Sequence, residues 1–141
     1  MQDIIEFTNQ NIWLVAGLVA SGLAVIIYEL RLKARGIGSL STSLAVRAIN
    51  NGTAVVDVRS AEQFAGGHIV EARNIPADEL DKAKNDLAKN KKGTVLVCDN
   101  GIRSAECAAR LRKDGVEKVF SLKGGVVAWQ QENLPVVSDG S

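Results

Sequence analysis

The apolar run Val95-Leu96-Val97 stops at a cysteine, Cys98, and the chain then changes character within a few residues. A short unbroken run of this kind suits a strand buried on both faces of a parallel sheet. Asp99, Asn100 and Gly101 follow, all tolerant of turns and left-handed backbone. After Arg103 the spacing predicts a helix over Ala105 to Lys113, with Ser104 as candidate N-cap. Strand, tight loop and helix form one device. Successive backbone N–H groups in such a loop make an anion-binding nest, and the helix adds the positive end of its dipole. A thiol at that focus is favoured as thiolate and reads as a nucleophile. A cysteine at the end of an apolar run is more commonly a small buried hydrophobe. That role, however, needs neither a glycine-bearing turn nor an arginine at a helix start.

The rest of the chain supplies the frame. Residues 41–50 read as a helix capped by Ser41 or Thr42, with Leu44, Val46 and Ile49 apolar and Asn51-Gly52 ending it. Ala54 to Val58 reads as a buried strand, and Ser60 caps a brief helix over Ala61 to Ala65 that Gly66-Gly67 stops. His68-Ile69-Val70 is short and apolar, and Ile75-Pro76 reverses the chain. Leu80, Ala83 and Leu87 then put an apolar stripe on a charged helix within 78–92. Lys118 to Leu122 reads as another strand and Val126 to Gln131 as a last helix. Strands alternating with helices imply an α/β fold, an open parallel sheet with helices on both faces. In such a sheet ligands bind beyond the carboxyl ends of the strands, where Cys98 lies. Cys107, in phase with Leu111, is expected to face the core.

Ahead of this domain, Ile12 to Tyr28 carries no charge. As helix it spans roughly 26 Å, against a hydrocarbon core of about 30 Å. Trp13 and Tyr28 sit near its ends, as interfacial aromatics do. A cleaved signal peptide would want a basic start and a shorter apolar core. The expectation is one transmembrane helix within 11–30, preceded by a short non-cytosolic stretch, 1–10. A basic and glycine-containing linker over 31–38, the domain at 39–137 and a tail at 138–141 follow. Arg31, Lys33 and Arg35 against Asp3 and Glu6 place the domain in the cytosol of an inner or plasma membrane. Residues 12–28 would contact lipid. Ala16, Gly17, Ala20, Ser21 and Ala24 offer a face that permits contact with a membrane-protein partner.

The 17 basic and 16 acidic residues nearly cancel, which gives no electrostatic case for a nucleic-acid partner. Two cysteines and one histidine make neither a disulfide framework nor a zinc site.

Cys98-Asp-Asn-Gly101-Ile-Arg103-Ser104 resembles the active-site loop of rhodanese-like sulfurtransferases, Cys-x-x-Gly-x-Arg-Ser. Asp57-Val-Arg59, Phe64-x-x-Gly67-His68-Ile69, Ala72-x-Asn74-Ile75-Pro76 and Gly124-Gly125-x-x-x-Trp129 agree in order and spacing. The resemblance covers roughly residues 38–137. With the amino-terminal segment, the arrangement is similar to single-domain, membrane-anchored rhodaneses of the YibN type. It implies that Cys98 takes sulfane sulfur from thiosulfate or a persulfide donor, becomes a persulfide, and passes the sulfur to a thiol, cyanide or protein acceptor. No metal or organic cofactor is implied, since the cysteine is the nucleophile.

Asp99, Asn100, Gly101, Ile102, Arg103 and Ser104 would bind substrate, with Arg103 anchoring an anionic group or orienting the loop. An ion pair to a neighbouring carboxylate is the structural alternative for Arg103. Asp99 opposes a thiosulfate dianion, pointing to a protein persulfide or a small neutral persulfide as donor. Phosphatases built on related loops use Cys-x5-Arg, commonly after a histidine. The shorter Cys-x4-Arg loop behind Val97 favours sulfur. A membrane-tethered protein-interaction module on the same scaffold is the non-enzymatic alternative. Asp57 and Arg59 are expected to form an ion pair, His68 to be a hydrogen-bonded scaffold group and Trp129 a core anchor.

Overall fold

A computed structural model describes residues 1–36 and 38–139, the side chains of 32–37 excepted. Ile37, in the expected linker, and Gly140 and Ser141, in the expected tail, lie outside the described residues, as do the side chains of Lys33 and Arg35. The chain divides into two compact units, Met1–Ala34 and Arg35–Ser141.

The first unit is helical. Gln2–Gln10 forms α1, a regular helix in a stretch with no structure assigned from sequence. Asn11 leaves helical geometry (φ −121°, ψ 36°) and separates α1 from α2, Ile12–Gly36. Within α2 the 20 residues Ile12–Arg31 are long and apolar enough to cross a membrane, and none is buried. At 1.5 Å per residue they span about 30 Å, the thickness of a hydrocarbon core. The helical backbone runs on to Gly36, past the expected linker start at Arg31, since nothing in that stretch breaks a helix.

In the second unit, β1 (Ser39–Leu40) precedes α3 (Thr42–Asn50), whose N-terminus is capped by the Ser41 hydroxyl. Ala45 and Thr42, not Leu44, turn inward: Leu44 is exposed, with Val46 and Ile49 partly buried beside the core. Three apolar positions on so short a helix cover more arc than its contact with the sheet can bury. β2 (Ala54–Asp57), α4 (Ala61–Gly66, capped by Ser60), β3 (His68–Ile69) and β4 (Arg73–Asn74) follow. A 3-10 turn at Ala77–Glu79 leads into α5 (Leu80–Lys89) and β5 (Thr94–Val97). The chain closes with α6 (Ile102–Lys113), β6 (Val119–Leu122), α7 (Gly125–Gln131) and β7 (Val136–Val137).

Five strands make a parallel sheet in the order β1-β6-β5-β2-β4; β3 and β7 form a separate antiparallel pair. Every residue of β5 is buried, as its apolar run predicts for a central strand covered on both faces. Alternation along the strands sorts the core. Val56, Val58, Leu96 and Cys98 face Leu80, Leu87, Cys107, Ala108 and Leu111 on one side. Val55, Val95, Val97 and Leu122 face Ala45, Val126 and Trp129 on the other. Each fully buried Leu or Val contributes about 1.5–3 kcal/mol relative to exposure. β2 and β5 pair in the register Asp57↔Val97, so the segments leaving them run side by side at the carboxyl edge.

Candidate active site

Cys98 follows β5, the central strand, and the loop from Cys98 to Gly101 turns into α6. Gly101 makes the turn. Its φ of +88° lies in the left-handed region, and a β-carbon there would press on the Gly124 nitrogen at 2.8 Å and the Leu122 carbonyl oxygen at 2.9 Å. Gly101, not Ser104, therefore occupies the N-cap position, and α6 begins at Ile102. Ser104 lies inside the first turn and is fully buried.

This shift puts α6's first-turn groups against the sulfur. The Gly101 N–H donates to Cys98 Sγ at 3.1 Å and the Ser104 N–H at 3.4 Å. The thiol donates to Ser104 Oγ at 3.4 Å, and that hydroxyl donates to the Gly101 carbonyl at 3.3 Å. Asn100 Oδ1 accepts from the Ile102 N–H at 3.1 Å, which pins the outer limb of the loop. Converging N–H groups of this kind form a nest suited to an anionic atom at or bonded to the sulfur position.

The loop's carbonyls are held from behind. The Val126 N–H donates to the Cys98 carbonyl at 2.9 Å and the Val127 N–H to that of Asp99 at 3.1 Å. The start of α7 can lie this close only because Gly125 has no side chain: a β-carbon there would overlap both carbonyl oxygens. The Gly124-Gly125 motif, unexplained by sequence alone, is the backing of the nucleophile loop. Trp129 is buried and donates from Nε1 to the Pro135 carbonyl at 3.0 Å, as befits a core anchor.

Arg59 supports the loop from the side. Its Nε donates to Asp57 Oδ1 at 3.0 Å, and its Nη2 to Asp57 Oδ2 at 2.8 Å and to the Gly67 carbonyl at 2.6 Å. Its Nη1 donates to Asp99 Oδ1 at 3.3 Å. Both members of the expected ion pair are buried, Asp57 at 1% exposure and Arg59 at 7%. Hydrogen bonding to Asp57 holds the Arg59 guanidinium above its ordinary pKa, against the opposing effect of burial. Gln63 Nε2 donates to Asp99 Oδ2 at 3.2 Å, so both carboxylate oxygens of Asp99 are tethered.

Cys98 opens onto a cavity of about 340 Å³, lined also by Arg59, Gln63, Asp99, Asn100, Ile102, Arg103 and Glu106. Of the residues expected to bind substrate, Asp99, Asn100, Ile102 and Arg103 line this cavity, while Gly101 and Ser104 contact the sulfur instead. Arg59, Gln63 and Glu106 were not foreseen as lining residues. Glu106 had a signal, since residues three apart on a helix share a face and it follows Arg103 by three. Gln63 had none. Arg103 is exposed and makes no hydrogen bond or ion pair among the described residues. His68 lies apart from the cavity: its Nδ1 donates to the Phe64 carbonyl at 2.7 Å and its ring stacks on Phe64 at 3.7 Å. No group of three or more His, Cys, Asp or Glu able to hold a metal occurs among the described residues.

Cys107 lies in the core beneath α6 at 5% exposure, and burial pushes its thiol pKa up. A raised folded-state pKa means stability is full below the unfolded thiol's value of about 9 and declines as pH rises through the folded one. Cys107→Ala is expected to leave Cys98 chemistry intact, to cost about 1 kcal/mol, and to flatten that alkaline decline. Urea unfolding at pH 7 and pH 10 checks the stability terms. Loss of Cys98 reactivity in a folded variant would contradict the assignment.

Comparison with known proteins places this geometry. The Rhodanese-like domain family matches residues 41–132. The chain is similar to the uncharacterized protein YibN of Escherichia coli (strain K12), with 36% identity over 141 residues covering 97% of this chain and 98% of that one. It is 31% identical over 84 residues to a sulfurtransferase of Allochromatium vinosum, covering 60% of this chain and 78% of that protein. The crystal structure of a rhodanese-related protein from Thermoplasma volcanium superposes with a TM-score of 0.63 at 29% identity, covering 70% of this chain and 96% of that one. The match runs from the start of α3 to the end of α7 and takes in the whole cysteine loop with its backing, so the chain belongs to the rhodanese-like family, as a single-domain protein of the YibN type.

Proposed function

We propose that the protein is a membrane-anchored sulfurtransferase that carries sulfane sulfur on Cys98. The observation that carries this reading is the convergence of the Gly101 and Ser104 N–H groups on Sγ at the floor of a cavity rimmed by Arg103. Cys98 is only 3% exposed, so a slim terminal sulfur reaches it far more readily than a tetrahedral phosphate. The Cys98 thiolate attacks the outer sulfur of the donor. The new Sγ–S bond forms as the donor's S–S bond breaks, and the electron pair leaves with sulfite or a thiolate. The N–H groups that held the thiolate then hold the persulfide anion without rearrangement. An acceptor thiolate attacks the same outer sulfur and releases Cys98. Asp99, Asn100, Ile102 and Arg103 contact the donor, while Gly101 and Ser104 stabilise charge on sulfur. The name of the Allochromatium vinosum relative supports this chemistry.

Intact mass before and after incubation with thiosulfate, and separately with a persulfide donor, tests the reading. A gain of about one sulfur atom on Cys98, removed by dithiothreitol, is expected. No gain with either would leave the adaptor reading.

The anchor has its own test. Ile12–Arg31 spans an inner or plasma membrane, with the domain on the cytosolic side where thiols remain reduced. A small membrane-impermeant thiosulfonate is expected to tag Cys98 weakly in intact cells and fully after lysis. Equal tagging would overturn the orientation, and a soluble protein shortened at its amino terminus would overturn the anchor.

A further inference from the structure

The cavity mouth carries four charged side chains, Arg59, Asp99, Arg103 and Glu106, in a particular pattern. Arg59 is not available to a ligand: Nε, Nη2 and Nη1 are engaged by Asp57, the Gly67 carbonyl and Asp99. Three charged groups remain open. Arg103 and Glu106 stand one turn apart on α6, both exposed and without hydrogen-bond or ion-pair partners among the described residues. Asp99 belongs to the loop itself. Its carboxylate is 54% exposed, and each oxygen accepts one internal hydrogen bond, leaving a lone pair on each for a ligand.

One cation and two carboxylates are a poor match for a dianion. Thiosulfate placed on Arg103 would meet negative charge at Glu106 and at Asp99, whose partner Arg59 is already paired with Asp57. A zwitterion satisfies all three. Its carboxylate pairs with the Arg103 guanidinium, its ammonium is shared by the Asp99 and Glu106 carboxylates, and its sulfur reaches inward to Cys98. A cavity of about 340 Å³ suits a ligand of this size.

Resting on the Cys98 persulfide reading, we propose that the small donor is an amino-acid-type persulfide bearing both ammonium and carboxylate, L-cysteine persulfide being its simplest member. The exchange is balanced and involves no external oxidant or reductant. The Cys98 thiolate bonds to the outer sulfur of R–S–SH, the donor's S–S bond breaks with its electron pair leaving on the inner sulfur, and the leaving R–S thiolate takes up the proton Cys98 lost. The products are the Cys98 persulfide and R–SH.

Four donors separate the elements of recognition: L-cysteine persulfide, mercaptopropionate persulfide without the ammonium, cysteamine persulfide without the carboxylate, and thiosulfate. Loading of Cys98 in the full-length protein is followed by intact mass against time. L-Cysteine persulfide is expected to load about tenfold faster than the other three. Glu106→Gln and Asp99→Asn are each expected to narrow its lead over mercaptopropionate persulfide to about twofold. Glu106→Gln removes no hydrogen bond or ion pair among the described residues and so guards against misfolding of the loop. Equal loading by L-cysteine persulfide and any other donor overturns the zwitterion inference while leaving sulfur transfer in place. A lead that both variants leave intact overturns it as well. No loading from any donor removes both the inference and the function it rests on.

Discussion

Cys98→Ser is expected to yield a folded domain that acquires no sulfur. The serine hydroxyl can accept from the same Gly101 and Ser104 N–H groups and donate to Ser104 Oγ, so the buried polar partners stay satisfied. Stability should change by no more than about 1 kcal/mol. Activity should fall at least about 10³-fold, because the hydroxyl is a far weaker nucleophile and, among the described residues, neither a carboxylate nor an imidazole hydrogen-bonds to the group at this position. Intact mass after incubation with a persulfide donor, together with circular dichroism, separates the two effects. A serine variant that is folded and still gains sulfur would remove Cys98 from the mechanism.

Asp57→Ala has the larger effect on the fold. It strips the Arg59 guanidinium of its principal partner and leaves a charge buried at the end of β2. Breaking such a pair from one side costs about 3–5 kcal/mol, which for a domain of this size lowers the melting temperature by roughly 12 °C or more. Replacing both residues, as Asp57→Ala with Arg59→Met, should recover part of that loss because no unpaired charge remains buried. The double variant should still load sulfur more slowly, since Asp99 loses its tether to Arg59. Thermal unfolding of the two variants checks the order. A single variant as stable as the parent would show that the pair contributes little.

The central strand, the cysteine loop and the alternation of strands with helices were legible because each leaves a local mark: an apolar run, a cluster of turn-formers, a helical spacing. β1, β4, β7 and the β3–β7 pairing were not, since strands of two residues carry no period and exist only through their neighbours. The start of α6 was misplaced for a specific reason. Ser104 has the chemistry of a cap, but here its hydroxyl is turned to Cys98, and Gly101 takes the cap position by adopting a backbone few other residues accept. Asp57 and Arg59 announced an ion pair through their proximity. The further reach of Arg59 to Asp99 depends on the register Asp57↔Val97, which carries residues two past each strand's end alongside one another. No local pattern encodes that register.

The place of β1 in the sheet has a bearing on how the protein is made. Ser39 and Leu40 pair with Ser121 and Leu122, and the Ser39 and Ser121 hydroxyls that meet there are 82 residues apart in the chain. Synthesis at about 5–20 residues per second puts roughly 4–16 s between the two strands. Throughout that interval β1 has nothing to join, because β6 is the strand that stands between it and β5. A nascent chain halted before residue 119 holds the cysteine loop but lacks both the neighbouring strand and the α7 backing that shape it. The nucleophile is therefore translated well before its cradle, and the first strand to leave the ribosome waits for nearly the last.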